Sequence, residues 1–180
     1  MAYELRMDTA LDLAAAIPAI WGLTAPAAWT DIMGRGIAPR SMVLVLVKPH
    51  SQGWNEVERV WPCNDLDYFD RFNAKAMTRD ATGTRAVAVV IDSEADGPGD
   101  SATAHEQLVD AAAYALHRFG VTLETAYATR ELAEWQPLWS LRTEEFVGRL
   151  PRTPGVVPDG RYLLAEAMAT RGAEAVARLA

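Results

Sequence analysis

The sequence predicts an α/β fold, a single domain with a mixed, largely parallel sheet and flanking helices. Two continuous apolar runs, residues 42–47 (MVLVLV) and 86–91 (AVAVVI), have the length and composition of strands that are buried on both faces. A helical pattern separates the second run from an alternating segment at 121–127. Residues 85–128 therefore predict a parallel strand–helix–strand unit within an α/β domain that spans residues 1–150.

The flanking elements follow from capping and breaking residues. Asp8 is a good N-cap for a first helix, and Pro18 predicts that this helix is kinked or ends early. Residues 57–61 predict a second strand that Pro62 ends, and Asn64 or Asp65 is a candidate cap for the helix that follows.

Later elements complete the domain and lead into a tail. Thr103 and Glu106 have the spacing of a capping box, and Gly120 closes the helix that they begin. Residues 134–141 predict a further strand or a turn. Because prolines and glycines are frequent after residue 150, residues 151–180 predict a Pro-rich linker and a C-terminal helix that packs on the domain or extends from it.

Composition excludes several functional classes. The chain has 180 residues, with 24 acidic and 17 basic side chains and a net charge of −7, which makes nucleic-acid binding an unfavourable hypothesis. A single cysteine excludes an internal disulfide and a cysteine-based zinc site, and it fits a reducing compartment. No apolar run approaches the roughly 20 residues that span a bilayer, so we expect a cytoplasmic protein without membrane contact.

The negative charge is concentrated in one segment. No lysine or arginine occurs between residues 92 and 110, whereas the rest of the chain has nearly equal numbers of acidic and basic residues. Loop 92–100 follows a predicted strand, at the edge where open α/β sheets bind ligands. Alternating carboxylates before Gly97 resemble the start of a calcium loop, although Thr103 stands where a bidentate glutamate is needed. One hypothesis is therefore a Mg²⁺ or Ca²⁺ site with His105 as acid/base and with the ligands Asp92, Glu94, Asp96 and Asp100. The alternative is a solvated turn.

Two further residues have reactive side chains. Cys63 precedes a predicted helix N-terminus, where a thiolate would be stabilised, but a semi-buried structural cysteine is the favoured interpretation. His105 lies in the first turn of its predicted helix, where it is a candidate base or, as the favoured alternative, a surface histidine.

Aromatic residues suggest a partner surface. Trp54 lies in a predicted turn, and Trp135 and Trp139 flank a short segment close to Arg142. Exposed tryptophans beside an arginine are typical of interface anchors. The alternative is a satellite core beneath the C-terminal linker, since tryptophan is enriched in both settings.

The order of the motifs resembles a known family. Residues 17–22 (IPAIWG) precede residues 39–46 (PRSMVLVL), and residues 157–159 (VPD) lead into an alanine-rich end. In this respect the chain is similar to the domain-of-unknown-function 4192 family of actinobacteria and their phages. It differs by the inserted residues 23–38 and by Trp139-Ser140, where many relatives have cysteines. The resemblance implies neither an activity nor a cofactor.

The leading hypothesis is a non-enzymatic protein-interaction module with a regulatory or assembly role in an actinobacterium or its phage. It needs no cofactor, and its partner is another protein or a second copy of the chain. The residues expected to contact the partner are Trp54, Trp135, Trp139 and Arg142. The alternative is a divalent-metal-dependent enzyme that uses loop 92–100.

Overall fold

The described part of the chain forms a seven-stranded mixed sheet with helices on both faces. The computed structural model describes residues 3–5, 10–24, 37, 40–49, 55–63, 73–81, 85–95 and 102–151. The described strands are β1 (Tyr3–Leu5), β2 (Arg40–Pro49), β3 (Asn55–Cys63), β4 (Arg85–Asp92), β5 (Thr122–Thr129), β6 (Pro137–Ser140) and β7 (Phe146–Arg149), and the described helices are α1 (Ala10–Thr24), α2 (Ala74–Thr78) and α3 (Ala102–His117). The strand order is β1-β3-β2-β4-β5-β6-β7. The predicted α/β fold and its mixed sheet are confirmed.

The prediction of a largely parallel sheet is wrong. Among the described strands β4 and β5 alone pair in parallel, and every other neighbouring pair is antiparallel. Residues 50–54 join β2 to β3, and residues 141–145 join β6 to β7. Such short links form antiparallel pairs, because a parallel crossover needs about a dozen residues or more. A continuous apolar run indicates that a strand is buried on both faces, but it does not indicate whether the strand runs parallel or antiparallel to its neighbours.

The predicted strand–helix–strand unit is confirmed as β4, α3 and β5. The parallel register runs from the pair Arg85 and Thr122 to the pair Ile91 and Thr129, so both strands end at the same edge of the sheet. Gly120 ends the helix as predicted, with a φ of 77°. The Gly120 N–H donates to the His117 carbonyl at 3.0 Å and that of Val121 to the Leu116 carbonyl at 3.2 Å, as in a Schellman cap.

The core lies on both sides of the sheet. Met42, Leu44 and Leu46 face a cluster that includes residues of α2 and α3, whereas Val43, Val45 and Val47 face a cluster that includes α1. All six side chains are fully buried, which confirms the prediction that residues 42–47 are covered on both faces.

Two proline-based boundaries differ from the predictions. α1 does not end early at Pro18, which was one of the two predicted alternatives, because Ile20 and Trp21 beyond it are buried against the sheet and hold the last turns in place. β3 continues through Pro62 to Cys63. In the described pairing, β1 pairs with β3 only at residues 55–57. Pro62 lies beyond this pairing, so its missing N–H removes no hydrogen bond to β1.

Several predicted elements lie outside the described residues. They include most of the helix expected after Asn64 and the linker and helix expected over residues 151–180, of which Pro151 alone is described. The described helix α2 is capped by Asn73, whose Oδ1 accepts the Ala76 N–H at 3.1 Å. Within the described segments, no helix combines the length and the apolarity that crossing a bilayer requires.

Candidate functional site

Three elements bring polar side chains together at the carboxyl end of β4. Arg40 begins β2 and is the register partner of Asp92, which ends β4. Glu94 lies in the turn after β4, and His105 lies in the first turn of α3. We call Arg40, Asp92, Glu94 and His105 the polar cluster. The polar cluster lies at the carboxyl end of β4, next to the start of the antiparallel strand β2 and the end of the parallel strand β5. Ligands often bind at this edge of the sheet in α/β proteins.

The Asp92 carboxylate has partners on both oxygens. His105 Nε2 lies 3.0 Å from Oδ2, and the side chains of Asp92 and His105 are only 5% and 7% exposed. Oδ1 accepts the Glu94 N–H at 3.1 Å and lies 3.5 Å from Nε of Arg40. The cluster is therefore a buried acid–imidazole pair with a guanidinium beside it.

The protonation state of Asp92 follows from these contacts. Burial alone would raise the pKa of the Asp92 carboxyl, but the hydrogen bonds from His105 and from the Glu94 backbone, together with the Arg40 charge, hold that pKa below its ordinary value. An ionised carboxylate can only accept hydrogen bonds. His105 therefore donates from Nε2 to the Asp92 carboxylate.

The favoured expectation that His105 is a surface residue is wrong. Its side chain is buried because it shares a helix face with Val109, Ala112 and Leu116, which are also buried. The spacing 105–109–112–116 is the periodicity of one helix face, so this signal was present in the sequence. α3 also begins at Ala102, ahead of the predicted cap Thr103.

The predicted cation ligands are only partly brought together. The Glu94 side chain is 73% exposed, and its Oε2 lies 3.8 Å from Nη1 of Arg40. Asp96 and Asp100 lie outside the described residues. Among those that are described, no three potential metal-binding side chains form a group. Because the Arg40 charge beside Asp92 would oppose a dication, the geometry suits hydrogen bonding or proton transfer better than a hard-cation site.

A second candidate surface lies at the opposite edge of the sheet from β1, where β7 is the outermost of the described strands. Trp135 is 69% exposed in the turn before β6, and Phe146 and Val147 are exposed on β7. We call Trp135, Phe146 and Val147 the aromatic edge. Nearby, the Arg142 guanidinium pairs with the Asp110 carboxylate of α3 at 3.2 Å, with both side chains partly in solvent.

The backbone at Trp135 is unusual for a bulky residue. Its φ is 69°, in the left-handed region that favours glycine. The Trp135 N–H donates to the Leu150 carbonyl at 2.8 Å, and its own carbonyl accepts from Nη1 of Arg149 at 3.0 Å. The backbone N–H and carbonyl of Trp135 are thus both hydrogen-bonded to residues at the end of β7 and just after it. These bonds fix the position of the Trp135 backbone at the surface.

Trp139 differs from the surface prediction. It lies on β6, is only 4% exposed, and packs in the α3-side cluster with Ala128 and Leu141. The core alternative therefore holds for Trp139 and the surface alternative for Trp135, since only Trp139 lies inside the strand and faces a covered side of the sheet. Trp54 lies outside the described residues.

Cys63 does not have the environment of a nucleophile. It is half-buried at the end of β3 and packs against the core cluster below α3. Burial raises the pKa of the Cys63 thiol to about 12, so the thiolate is scarce at neutral pH. The structural interpretation of this cysteine is the one that its surroundings favour.

Comparisons with models of protein families, with curated proteins and with solved structures found no match to this chain. The resemblance to the domain-of-unknown-function 4192 family therefore stays a prediction.

Proposed function

We propose that this chain is an assembly module that associates with a second copy of itself through the aromatic edge. The observation that carries the proposal is Trp135, a large apolar residue that is 69% exposed and has a backbone φ of 69°. A left-handed conformation costs a non-glycine residue about 1–2 kcal/mol. A bulky apolar side chain held outward at such a cost suggests a role at that surface.

The surroundings of Trp135 favour binding without reorganisation. Because its N–H and carbonyl are already bonded to Leu150 and Arg149, little backbone freedom is lost when the indole is buried in a partner. Tryptophan and arginine are the residues most enriched among those that dominate binding energies. Phe146 provides a further exposed aromatic ring on the same edge.

A second copy is the favoured partner because the edge has charges of both signs. Arg142 and Arg149 are exposed there together with Glu144 and Glu145. A two-fold interface brings the same surface together twice, so a patch with both signs can be complementary to itself.

Side-chain contact is favoured over strand pairing at this edge. The register between β6 and β7 shifts between Leu138 and Trp139, which leaves Val147 as an additional residue opposite that step. Such a bulge and a strand of only four residues are features that oppose edge-to-edge pairing. We therefore expect the indole and the phenyl ring, rather than the β7 backbone, to make the contact.

Sedimentation equilibrium of the full chain tests the proposal. We expect reversible dimerisation that Trp135→Gly abolishes, because the variant removes the indole while retaining a residue that accepts positive φ. Tyr114→Gln is the matched control, since Tyr114 is an exposed aromatic residue on α3 outside the aromatic edge, and it should leave dimerisation unchanged. A monomeric wild-type chain at high protein concentration, or equal effects of both variants, would contradict the proposal.

The proposal also includes the cellular compartment and the type of organism. It requires no cofactor, nucleic acid or membrane, and it assigns the protein to the cytoplasm of an actinobacterium, encoded by the bacterium or by a phage. The motif order that resembles the domain-of-unknown-function 4192 family supports this assignment. So does the use of 15 arginines against 2 lysines, which is typical of a GC-rich genome.

A second candidate function is acid–base chemistry at the polar cluster, with or without a divalent cation. The specific observation in its favour is the buried contact of 3.0 Å between Asp92 and His105. A rise in melting temperature with Mg²⁺ or Ca²⁺ that disappears in Asp92→Asn would support the metal-dependent form. An unchanged melting temperature at millimolar Mg²⁺ or Ca²⁺ would contradict the metal-dependent form of this second candidate function.

A further inference from the structure

A groove of about 840 Å³ opens between α2 and the C-terminal end of α3. Its volume falls within the roughly 300–1,000 Å³ typical of small-molecule sites. The described residues that line it are Asn73, Lys75, Ala76, Thr78, Arg79 and Phe119. We propose that this groove binds a nucleoside phosphate and that this binding is independent of the proposed self-association.

The described lining of the groove carries a charge opposite to that of the chain. Among the described residues that line it, the ionisable ones, Lys75 and Arg79, are both basic, although the protein has a net charge of −7. Their spacing of four residues along α2 and its C-cap places them on the same side of that segment. Asp80 lies 3.8 Å from Nε of Arg79, but both side chains are almost fully in solvent, where such pairs are weak. The Arg79 guanidinium can therefore donate hydrogen bonds to a bound phosphate.

Arg59 removes a source of repulsion from the groove. Carbonyl oxygens at the end of a helix carry partial negative charge and oppose an anion. Here Nη1 of Arg59 donates to the carbonyls of Met77, of Arg79 at 3.0 Å and of Ala76 at 3.4 Å. The guanidinium from β3 thus neutralises the end of α2, which makes this end of the groove compatible with a phosphate.

Phe119 supplies the aromatic part of the site. Phe119 is 47% exposed just after the end of α3 and lines the same groove as the two basic side chains. Exposed aromatic rings stack with nucleobases without requiring a particular base. Cationic groups beside an exposed ring match a ligand that combines a planar base with a phosphate chain, rather than a simple anion.

Calorimetric titration of the full chain with ATP, adenosine and inorganic triphosphate tests the proposal. We expect ATP to bind more tightly than either fragment, because only ATP engages Phe119 and the basic pair together. Arg79→Ala should weaken ATP binding roughly tenfold, which corresponds to about 1.4 kcal/mol. Arg130→Ala removes the same charge from an exposed arginine that does not line the groove, so it should have little effect.

Phe119→Ala tests the base and distinguishes the remaining outcomes. It should reduce ATP binding to the level of triphosphate while leaving triphosphate binding unchanged. Equal affinities for ATP and triphosphate in the wild-type chain would overturn the nucleoside assignment. Absence of ATP binding, or equal losses in Arg79→Ala and Arg130→Ala, would overturn the site. Dimerisation measured in the same samples should not change, which keeps this test separate from the proposed self-association.

Discussion

Trp135 and Trp139 stand close together in the chain and have opposite environments. Trp139 is 4% exposed within β6 and packs among core residues, whereas Trp135 is 69% exposed in the turn that precedes the strand. Residue type and neighbouring sequence do not distinguish them. What differs is the backbone, because β6 directs Trp139 toward a covered face and a left-handed turn directs Trp135 into solvent.

The polar cluster and the aromatic edge extend the same contrast. At the carboxyl end of β4 the protein buries a carboxylate and an imidazole, and at the β7 side of the sheet it exposes an indole and a phenyl ring. Buried polar groups and exposed apolar groups are the informative exceptions to ordinary burial. The two regions are therefore expected to respond differently to mutation, the first through stability and the second through association.

The largest expected effect is that of Trp139→Ala. Removing a buried tryptophan lowers the free energy of unfolding by about 3–5 kcal/mol, through lost burial and the cavity that remains. Urea denaturation followed by circular dichroism measures this change. Trp135→Ala is the control and should lose far less, so similar losses in the two variants would show that the contrast between the tryptophans is wrong.

Asp92→Asn has the next largest expected effect. The amide cannot carry the charge that faces Arg40 and His105, so we expect a loss of roughly 1–3 kcal/mol at neutral pH. Glu94→Gln provides the control, because its side chain is 73% exposed and surface changes usually stay within about 0.5 kcal/mol. If both variants lost the same stability, the burial of the Asp92 pair would have no energetic consequence.

Stability should depend on pH through the same carboxylate. Because the folded pKa of Asp92 lies below its ordinary value, its contribution is fully present above the unfolded pKa of about 3.9 and is lost as pH falls through the folded pKa. The difference in unfolding free energy between wild type and Asp92→Asn should therefore shrink progressively below about pH 4. Urea denaturation at a series of pH values measures it, and a difference that grows with acidity would contradict the assigned direction of the pKa shift.

Trp135→Gly has the smallest expected effect on stability and the opposite sign. Glycine relieves the positive φ but adds entropy to the unfolded chain, so the free energy of unfolding should stay unchanged or rise by about 1 kcal/mol. Thermal unfolding of the monomeric state measures this difference. A clear loss of stability would indicate that the indole supports the fold and would weaken its assignment to a partner surface.

Parts of the candidate sites were accessible from sequence patterns. The position of Asp92 after a buried strand and of His105 at the start of the next helix followed from the apolar run 86–91 and the helical spacing after it. The burial of His105 could also have been read from its phase with Val109, Ala112 and Leu116. Arg40 could not be assigned to this site, because its place beside Asp92 depends on the antiparallel direction of β2.

The sequence by itself determined the apolar strands, the parallel β4–α3–β5 unit and the left-handed helix end at Gly120, because each depends on local periodicity or on the conformational range of one residue. Only the tertiary structure decided the antiparallel pairing of β2, the meeting of Arg40 with Asp92, and which tryptophan of the β6 segment is buried. These features depend on which faces the helices cover and on how strands from distant parts of the chain pair. Such contacts join residues whose separation in sequence carries no periodic signal.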